Sequence, residues 1–356
     1  MCCNNICIFS SGKVVQSALI PMLLENTDSL VFVTTTTEKF MGISSIGFNG
    51  MPELDYRILY AGDNDTLDVL KSRMIEHEVR VAIINIHYPI FQELIELGNG
   101  GVWLSACRDG IFMYLDLFQD KISKPTTVLC FDNDATLVQA AIEKNKNKYI
   151  NIEKCVVHSV CSQVDYDDNK QQATLCAGKE CLVIFPPSAL FFREFLKNHN
   201  PLTNKRTQLR FTQTDDEFRF YSMAKLINVN AIHTLICCIA YVEGVTSGYM
   251  PSQIASMQIN QLLREDSMMR IISDVHSKLY QYYLAAIGDK LNESYDIHLA
   301  VMQSFISLLF SSGEKVSRGL DIASPSYANK TQRHFPLLKG INDDYVNQII
   351  STMECL

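Results

Sequence analysis

Short runs of β-branched and apolar residues alternate with helix-patterned stretches through the first half of this sequence, and few folds accommodate that alternation. Ile6-Cys7-Ile8-Phe9 reads as a first strand and stops at Ser10-Ser11-Gly12. Lys13 to Leu24 then carries apolar residues at Val14, Val15, Ala18, Leu19 and Leu23, the spacing of a helix with one buried face. Leu30–Thr34 reads as a second strand. Further strands are predicted at Val81–Ile84, Thr127–Cys130, Cys155–Val157 and Cys181–Ile184. Repeated strand, helix, strand predicts an α/β fold, a doubly wound, Rossmann-like parallel sheet with helices on both faces. Such sheets bind ligands beyond the carboxyl ends of their strands.

After Pro186-Pro187 the pattern turns helical, through Phe218–Val242, Pro251–Ala286 and Asp296–Leu309. The chain has 356 residues, too many for one ordinary core. The expected division is a dinucleotide-binding domain over residues 1–190 and a mostly α-helical substrate and catalytic domain over 191–356. The tail Ser317–Gly340, with Pro325 and Pro336, is expected to be irregular.

Hydrophobic residues make up 47% and charged residues 20%, a balance that excludes a disordered chain. A net charge of -8 without a basic stripe argues against nucleic-acid binding. The sequence shows no run of 18 apolar residues, so no membrane span is expected, and the N-terminus lacks a signal-peptide pattern; a cytoplasmic location is expected. The 12 cysteines are scattered without zinc spacing, so they are read as thiols packed as small hydrophobes and no metal site is expected.

The stretch richest in chemistry is Lys225-Leu226-Ile227-Asn228-Val229-Asn230-Ala231-Ile232-His233. On a helix, Lys225 and His233 lie a little over two turns apart and share a face, with Asn230 at its edge. An ammonium, an amide and an imidazole in one stripe suit alcohol oxidation or carbonyl reduction. A lysine of lowered pKa takes or returns the hydroxyl proton, while amide and imidazole N–H groups hold the developing alkoxide.

Lys-x4-Asn-x2-His on the first long helix of a second domain resembles the hallmark of the polyol-specific long-chain dehydrogenases, the mannitol dehydrogenase family. Tyr241-Val242-Glu243-Gly244 and the strand Thr127–Phe131 ending in Asp132-Asn133 are similar to that family as well. The resemblance implies an NAD(P)-dependent dehydrogenase that interconverts a secondary alcohol and a ketone on a polyol, a ketose or a related molecule, phosphorylated or not. It implies Lys225 as general acid/base, and an oxyanion pocket formed by Asn133 and Asn230 with His233. It further implies a C-terminal Arg and Lys at the substrate; Arg318 and Lys330 are the nearest matches, with Lys315, Arg333 and His334 as alternatives. A monomer or dimer acting on a small polar substrate is expected.

The nucleotide site departs from the usual pattern. Gly-x-Gly-x-x-Gly is replaced by Ser10-Ser11-Gly12-Lys13-Val14-Val15, which keeps only the glycine that lets backbone approach phosphate. Ser10 and Ser11 can donate hydrogen bonds to phosphate and Lys13 adds charge. Thr34 stands where an NAD site carries an acidic residue, so NADP fits at least as well as NAD, with Thr35 or Lys39 near a 2'-phosphate. Ser162 and Gln163 replace the family's Asp-Arg pair. These losses keep open a second reading, a member that binds a ligand or partner without hydride transfer.

Overall fold

The computed structural model describes residues 6–36, 45–48, 56–108, 110–132, 135–158, 161–167, 172–177, 181–196, 207–320 and 325–355. Two compact units divide the chain, 1–218 and 219–356.

In the first unit the strands are Ile6–Phe9 (β1), Val31–Thr35 (β2), Ser45–Phe48 (β3), Tyr56–Tyr60 (β4), Val81–Asn85 (β5), Val102–Ser105 (β6), Thr126–Cys130 (β7), Ile150–Lys154 (β8), Val156–His158 (β9), Cys161–Asp167 (β10), Gln172–Ala177 (β11), Cys181–Phe185 (β12) and Thr207–Phe211 (β13). One sheet runs β10-β11-β3-β4-β5-β2-β1-β6-β7-β8. From β4 to β8 every neighbouring pair is parallel. β1 lies between β2 and β6, so the order of strands reverses direction beside it, the switch point at which doubly wound sheets bind ligands.

Alternation along β1 explains why this sheet is buried on both faces. Ile6 and Ile8 join Val31 and Val33 in one core, while Cys7 and Phe9 join Phe32 and Ile84 in the other. Phe9 stacks on Trp103 and on Tyr114, both at 4.5 Å between centroids, tying β1 to β6 and to the helix Gly110–Phe118. Gly98 has to be glycine here, because a Cβ would overlap the Trp103 indole, whose Nε1–H donates to the Gly98 carbonyl at 3.2 Å.

β9, β12 and β13 form a second, three-stranded sheet in the order β13-β12-β9. β9 runs antiparallel to β12 and therefore does not extend the parallel sheet. β13 pairs parallel with β12 and Phe211 stacks on Phe185 at 4.5 Å, which carries the first unit well past residue 190.

The second unit is helical. One continuous helix, Asp215–Thr246, starts in the first unit and supplies the core of the second. Over 32 residues it is long and apolar enough by composition to cross a membrane, contrary to the reading of the sequence by apolar runs. Its most apolar window is 72% buried within the protein, as in a core helix. The predicted helix over 251–286 is broken into Pro251–Ser256, Ile259–Leu262, Glu265–Tyr283 and Ala285–Leu291, and Tyr295–Ser311 follows. The tail expected to be irregular is also helical, at Val316–Gly319, Pro325–Gly340 and Asp344–Glu354. Pro325 occupies a first-turn position, where a missing N–H costs nothing. Pro336 lies inside the same helix beside buried His334, Phe335 and Leu338, whose packing offsets the lost hydrogen bond.

Candidate functional site

At the carboxyl end of β1 the chain turns through Ser10, which has φ +76°, a left-handed conformation normally left to glycine. Local hydrogen bonds hold it there. The Ser10 N–H donates to Thr34 Oγ1 at 3.2 Å, and the Gly12 N–H donates to Ser10 Oγ at 3.2 Å. Ser11 Oγ donates to Thr35 Oγ1 at 3.3 Å, and the Gln16 amide donates to the Ser11 carbonyl. Ser11 and Thr35 are buried, and Lys13 is exposed at the start of the following helix.

Thr34 is fully buried. Its hydroxyl lies 3.2 Å from the Ile8 carbonyl and 2.9 Å from the Tyr114 hydroxyl. Burial pushes the Tyr114 phenol up to about 12, so it stays a protonated partner. Thr34 therefore ties β1 to β2 and the neighbouring helix instead of facing a ribose; the exposed position beyond the strand is Thr36. Lys39 lies outside the described residues.

Gly12 is different. A Cβ there would meet only Ser10 Oγ at 3.6 Å and the Ala106 carbonyl at 4.0 Å, ordinary contacts. Packing inside the protein does not demand a glycine, so its open face is free for a group approaching from outside.

The opposite wall of the crevice comes from β6, which the sequence reading missed. Ser105 is buried with its Oγ 3.1 Å from Cys107 Sγ. Arg108 takes φ +54° and its N–H donates to Asp132 Oδ1 at 2.7 Å, joining the loop after β6 to the end of β7. Asp132 is buried, and Asn133 lies outside the described residues. The signal for β6 was its position after Gly100-Gly101, obscured by a length of only four residues.

In the helical unit the Lys-Asn-His stripe contains a π turn over Leu226–Ala231, flanked by α-helical Asp215–Lys225 and Ile232–Thr246. In an α-helix Asn230 would lie about 140° around the axis from Lys225 and His233 about 80°. A π turn bonds i to i+5, so residue i+5 follows residue i on nearly the same side of the helix, as i+4 does in an α-helix, and this register puts Asn230 on the side of Lys225. Lys225 is buried, and Asn230 and His233 are half-buried.

His233 has a carboxylate beside it. Glu314 Oε1 lies 3.7 Å from His233 Nε2, with 4% of the Glu314 side chain exposed. Phe305 meets the imidazole edge-on at 5.7 Å. The short helix Val316–Gly319 crosses close to this residue: a Cβ on Gly319 would overlap Cys237 Sγ and lie 2.9 Å from His233 Nε2. Glu314 carried no motif signal in the sequence, being an isolated acid after a Gly with φ +64°.

Arg318 and Lys330 sit on the helices Val316–Gly319 and Pro325–Gly340, and their side chains lie outside the described residues. Of the alternatives, Lys315 is exposed, Arg333 is half-buried, and His334 is buried with Nδ1 2.7 Å from Thr234 Oγ1. Ser162 and Gln163 fall on β10 at the sheet edge. Among the described residues no group of three or more His, Cys, Asp or Glu could hold a metal ion, and no disulfide is present.

The strand order and switch point define the class, a Rossmann-type α/β unit followed by a helical unit. No protein-family model and no curated protein matches the chain. Among solved structures it is similar to 2-dehydropantoate 2-reductase from Porphyromonas gingivalis W83, at 13% identity and TM-score 0.46, covering 95% of this chain and 97% of that one. It is also similar to a PanE/ApbA family ketopantoate reductase from Ralstonia eutropha JMP134, at 10% identity and TM-score 0.49, covering 98% and 99%. A third is D-mandelate dehydrogenase with NADH and anilino(oxo)acetate, at 12% identity and TM-score 0.46, covering 98% and 99%. None of these three is a polyol dehydrogenase.

Proposed function

We propose that this chain is an NAD(P)-dependent oxidoreductase that interconverts a secondary alcohol and a ketone on a small hydroxylated substrate. The observation that supports the reading is the π turn over Leu226–Ala231, whose register favours Asn230 on the side of Lys225, with Glu314 3.7 Å from His233.

The residues at the switch point fit a dinucleotide. Gly12 leaves an approach for the pyrophosphate, Lys13 is an exposed cation beside it, and Thr36 stands beyond the strand end in the place of the buried Thr34. When bound, the nicotinamide supplies or accepts the hydride. Lys225 takes the hydroxyl proton in oxidation and returns it in reduction. Asn230 donates its amide N–H to the reacting oxygen, and His233 orients it, with the Glu314 carboxylate 3.7 Å from the imidazole. The motif resemblance also nominates Asn133, Arg318 and Lys330 as substrate-binding residues. That resemblance favours a polyol or ketose as substrate.

One observation favours a protein that binds without hydride transfer: the Gly12 N–H, which a phosphate would need, is already accepted by Ser10 Oγ. A change of the Ser10 χ1 rotamer, which swings Oγ away, frees it. Fluorescence titration with NADH and NADPH, followed by a polyol, ketose and oxo-acid screen, separates the readings. Saturable binding with turnover supports the oxidoreductase, and no binding at millimolar cofactor leaves the ligand-binding reading.

A further inference from the structure

Behind the π turn lies a buried polar chain that the proposed chemistry does not use. Asn228, 1% exposed, is the fourth residue of the stretch that begins at Lys225. Its Oδ1 lies 2.8 Å from His276 Nε2 on the helix Glu265–Tyr283, and its Nδ2 lies 3.1 Å from His298 Nδ1 on the helix Tyr295–Ser311. His276 Nδ1 continues to the Tyr295 hydroxyl at 3.4 Å. Tyr295 stacks on His276, and Tyr280 and Phe220 pack on His298.

The chemistry of an amide fixes the states of its neighbours. Asn228 offers an acceptor on one side and donors on the other, so one imidazole has to present N–H and the other a bare nitrogen. The acceptor role of Nδ1 makes His298 neutral, while His276 presents Nε2–H; burial lowers both pKa values, that of His276 to about 4, which keeps it neutral as well at neutral pH. Two imidazoles from two helices thus grip one side chain of the π turn in a dry, directional contact.

We infer that the His276–Asn228–His298 clamp is the positioning device of the site: it holds Leu226–Ala231 in the π form and so sets the register of Asn230 relative to Lys225. The inference rests on the oxidoreductase reading for its consequence in catalysis, while the clamp itself is a statement about backbone register. A π turn is a rare local form that persists where tertiary contacts impose it. Released, the segment relaxes to α-helix, which turns Asn230 away from Lys225. None of the three clamp residues touches substrate.

The test uses the full-length protein with Asn228→Leu, His276→Leu and His276→Gln. Gln places its amide where Nε2 of the imidazole stood, so His276→Gln keeps the hydrogen bond to Asn228 and His276→Leu does not. Crystal structures read the register over residues 226–231, and steady-state kinetics read kcat and KM. We expect the i-to-i+5 register in wild type and His276→Gln, and its loss in the two Leu variants. Expected with it is a fall in kcat of about 100-fold, unchanged NAD(P)H binding, and recovery to within a few-fold in His276→Gln. A π turn that persists in Asn228→Leu, or a His276→Gln variant as impaired as His276→Leu, overturns the inference. If one Leu variant does not fold, the other decides the register; if neither folds, Asn228→Ser, too short to reach both rings, is read in their place, and a π turn retained there overturns the inference. Wild-type protein without turnover but with register lost in the Leu variants sinks the oxidoreductase reading and leaves the clamp standing.

Discussion

Gly319 and Cys237 are so close that the thiol fills the space a β-carbon at 319 would need. This contact lets the helix Val316–Gly319 pass beside His233 and brings Glu314, two residues before that helix, within 3.7 Å of the imidazole. Gly319→Ala is expected to cost about 1–3 kcal/mol through overpacking. Cys237→Ala in the same chain should recover part of the loss, because the removed Sγ is what the new methyl meets. A denaturation double-mutant cycle checks this, and strict additivity of the two changes would contradict it.

Glu314 gives the site a carboxylate that no motif announced. Glu314→Gln keeps the shape and removes the charge. Activity should fall at least about 10-fold, within the range of lost acid–base assistance, while NAD(P)H binding is unchanged. Unaltered kcat/KM across the pH range would remove Glu314 and the orientation of His233 from the mechanism.

Stability should depend on pH through His276. Its pKa falls from 6.5 to about 4, first because burial penalises the charged ring and then because His298 lies beside it. Tyr295 and Asn228 are its hydrogen-bond partners, both neutral, while Glu293 pulls the other way on His298. Between these values the unfolded chain binds the proton and the folded chain does not. Stability is therefore complete above pH 6.5 and declines as pH falls toward 4, by up to about 3 kcal/mol. Urea titrations at about pH 7.5 and about pH 4.5 on wild type and His276→Gln measure it; an equal pH dependence in the two proteins would assign the effect elsewhere.

Much of the first unit could be read in the sequence because its strands are apolar on both faces and its turns are marked. Ile6–Phe9, Val81–Ile84 and Thr127–Cys130 sit within or close to the strands observed. β6 escaped because four residues carry too little pattern, and β9 was read as one more strand of the series because pairing direction leaves no local trace. The helical tail escaped because prolines suggest breaks, whereas burial of Phe335 and Leu338 outweighs one missing N–H at Pro336. At the site, Lys225, Asn230 and His233 were legible as a spacing, but the spacing implies a different geometry in an α-helix. The π turn that changes it is held by Asn228, whose partners lie 48 and 70 residues away. Thr34 was misread for a related reason, since only tertiary packing against Tyr114 shows it facing inward.

Gly12→Ala separates the two uses of a glycine. The fold has room for the methyl group, so melting temperature should hold or rise slightly. The cofactor's phosphates do not share that room.

The decisive measurement is a paired one, NADH and NADPH titration with single-turnover kinetics on wild type, Gly12→Ala and Lys225→Ala. We expect saturable binding in wild type, binding weakened about 10-fold or more in Gly12→Ala at unchanged stability, and binding retained with turnover lost in Lys225→Ala. Binding unaffected by the Gly12 change, or turnover surviving the Lys225 change, would contradict the assignment of the switch-point crevice to a dinucleotide and of Lys225 to proton transfer.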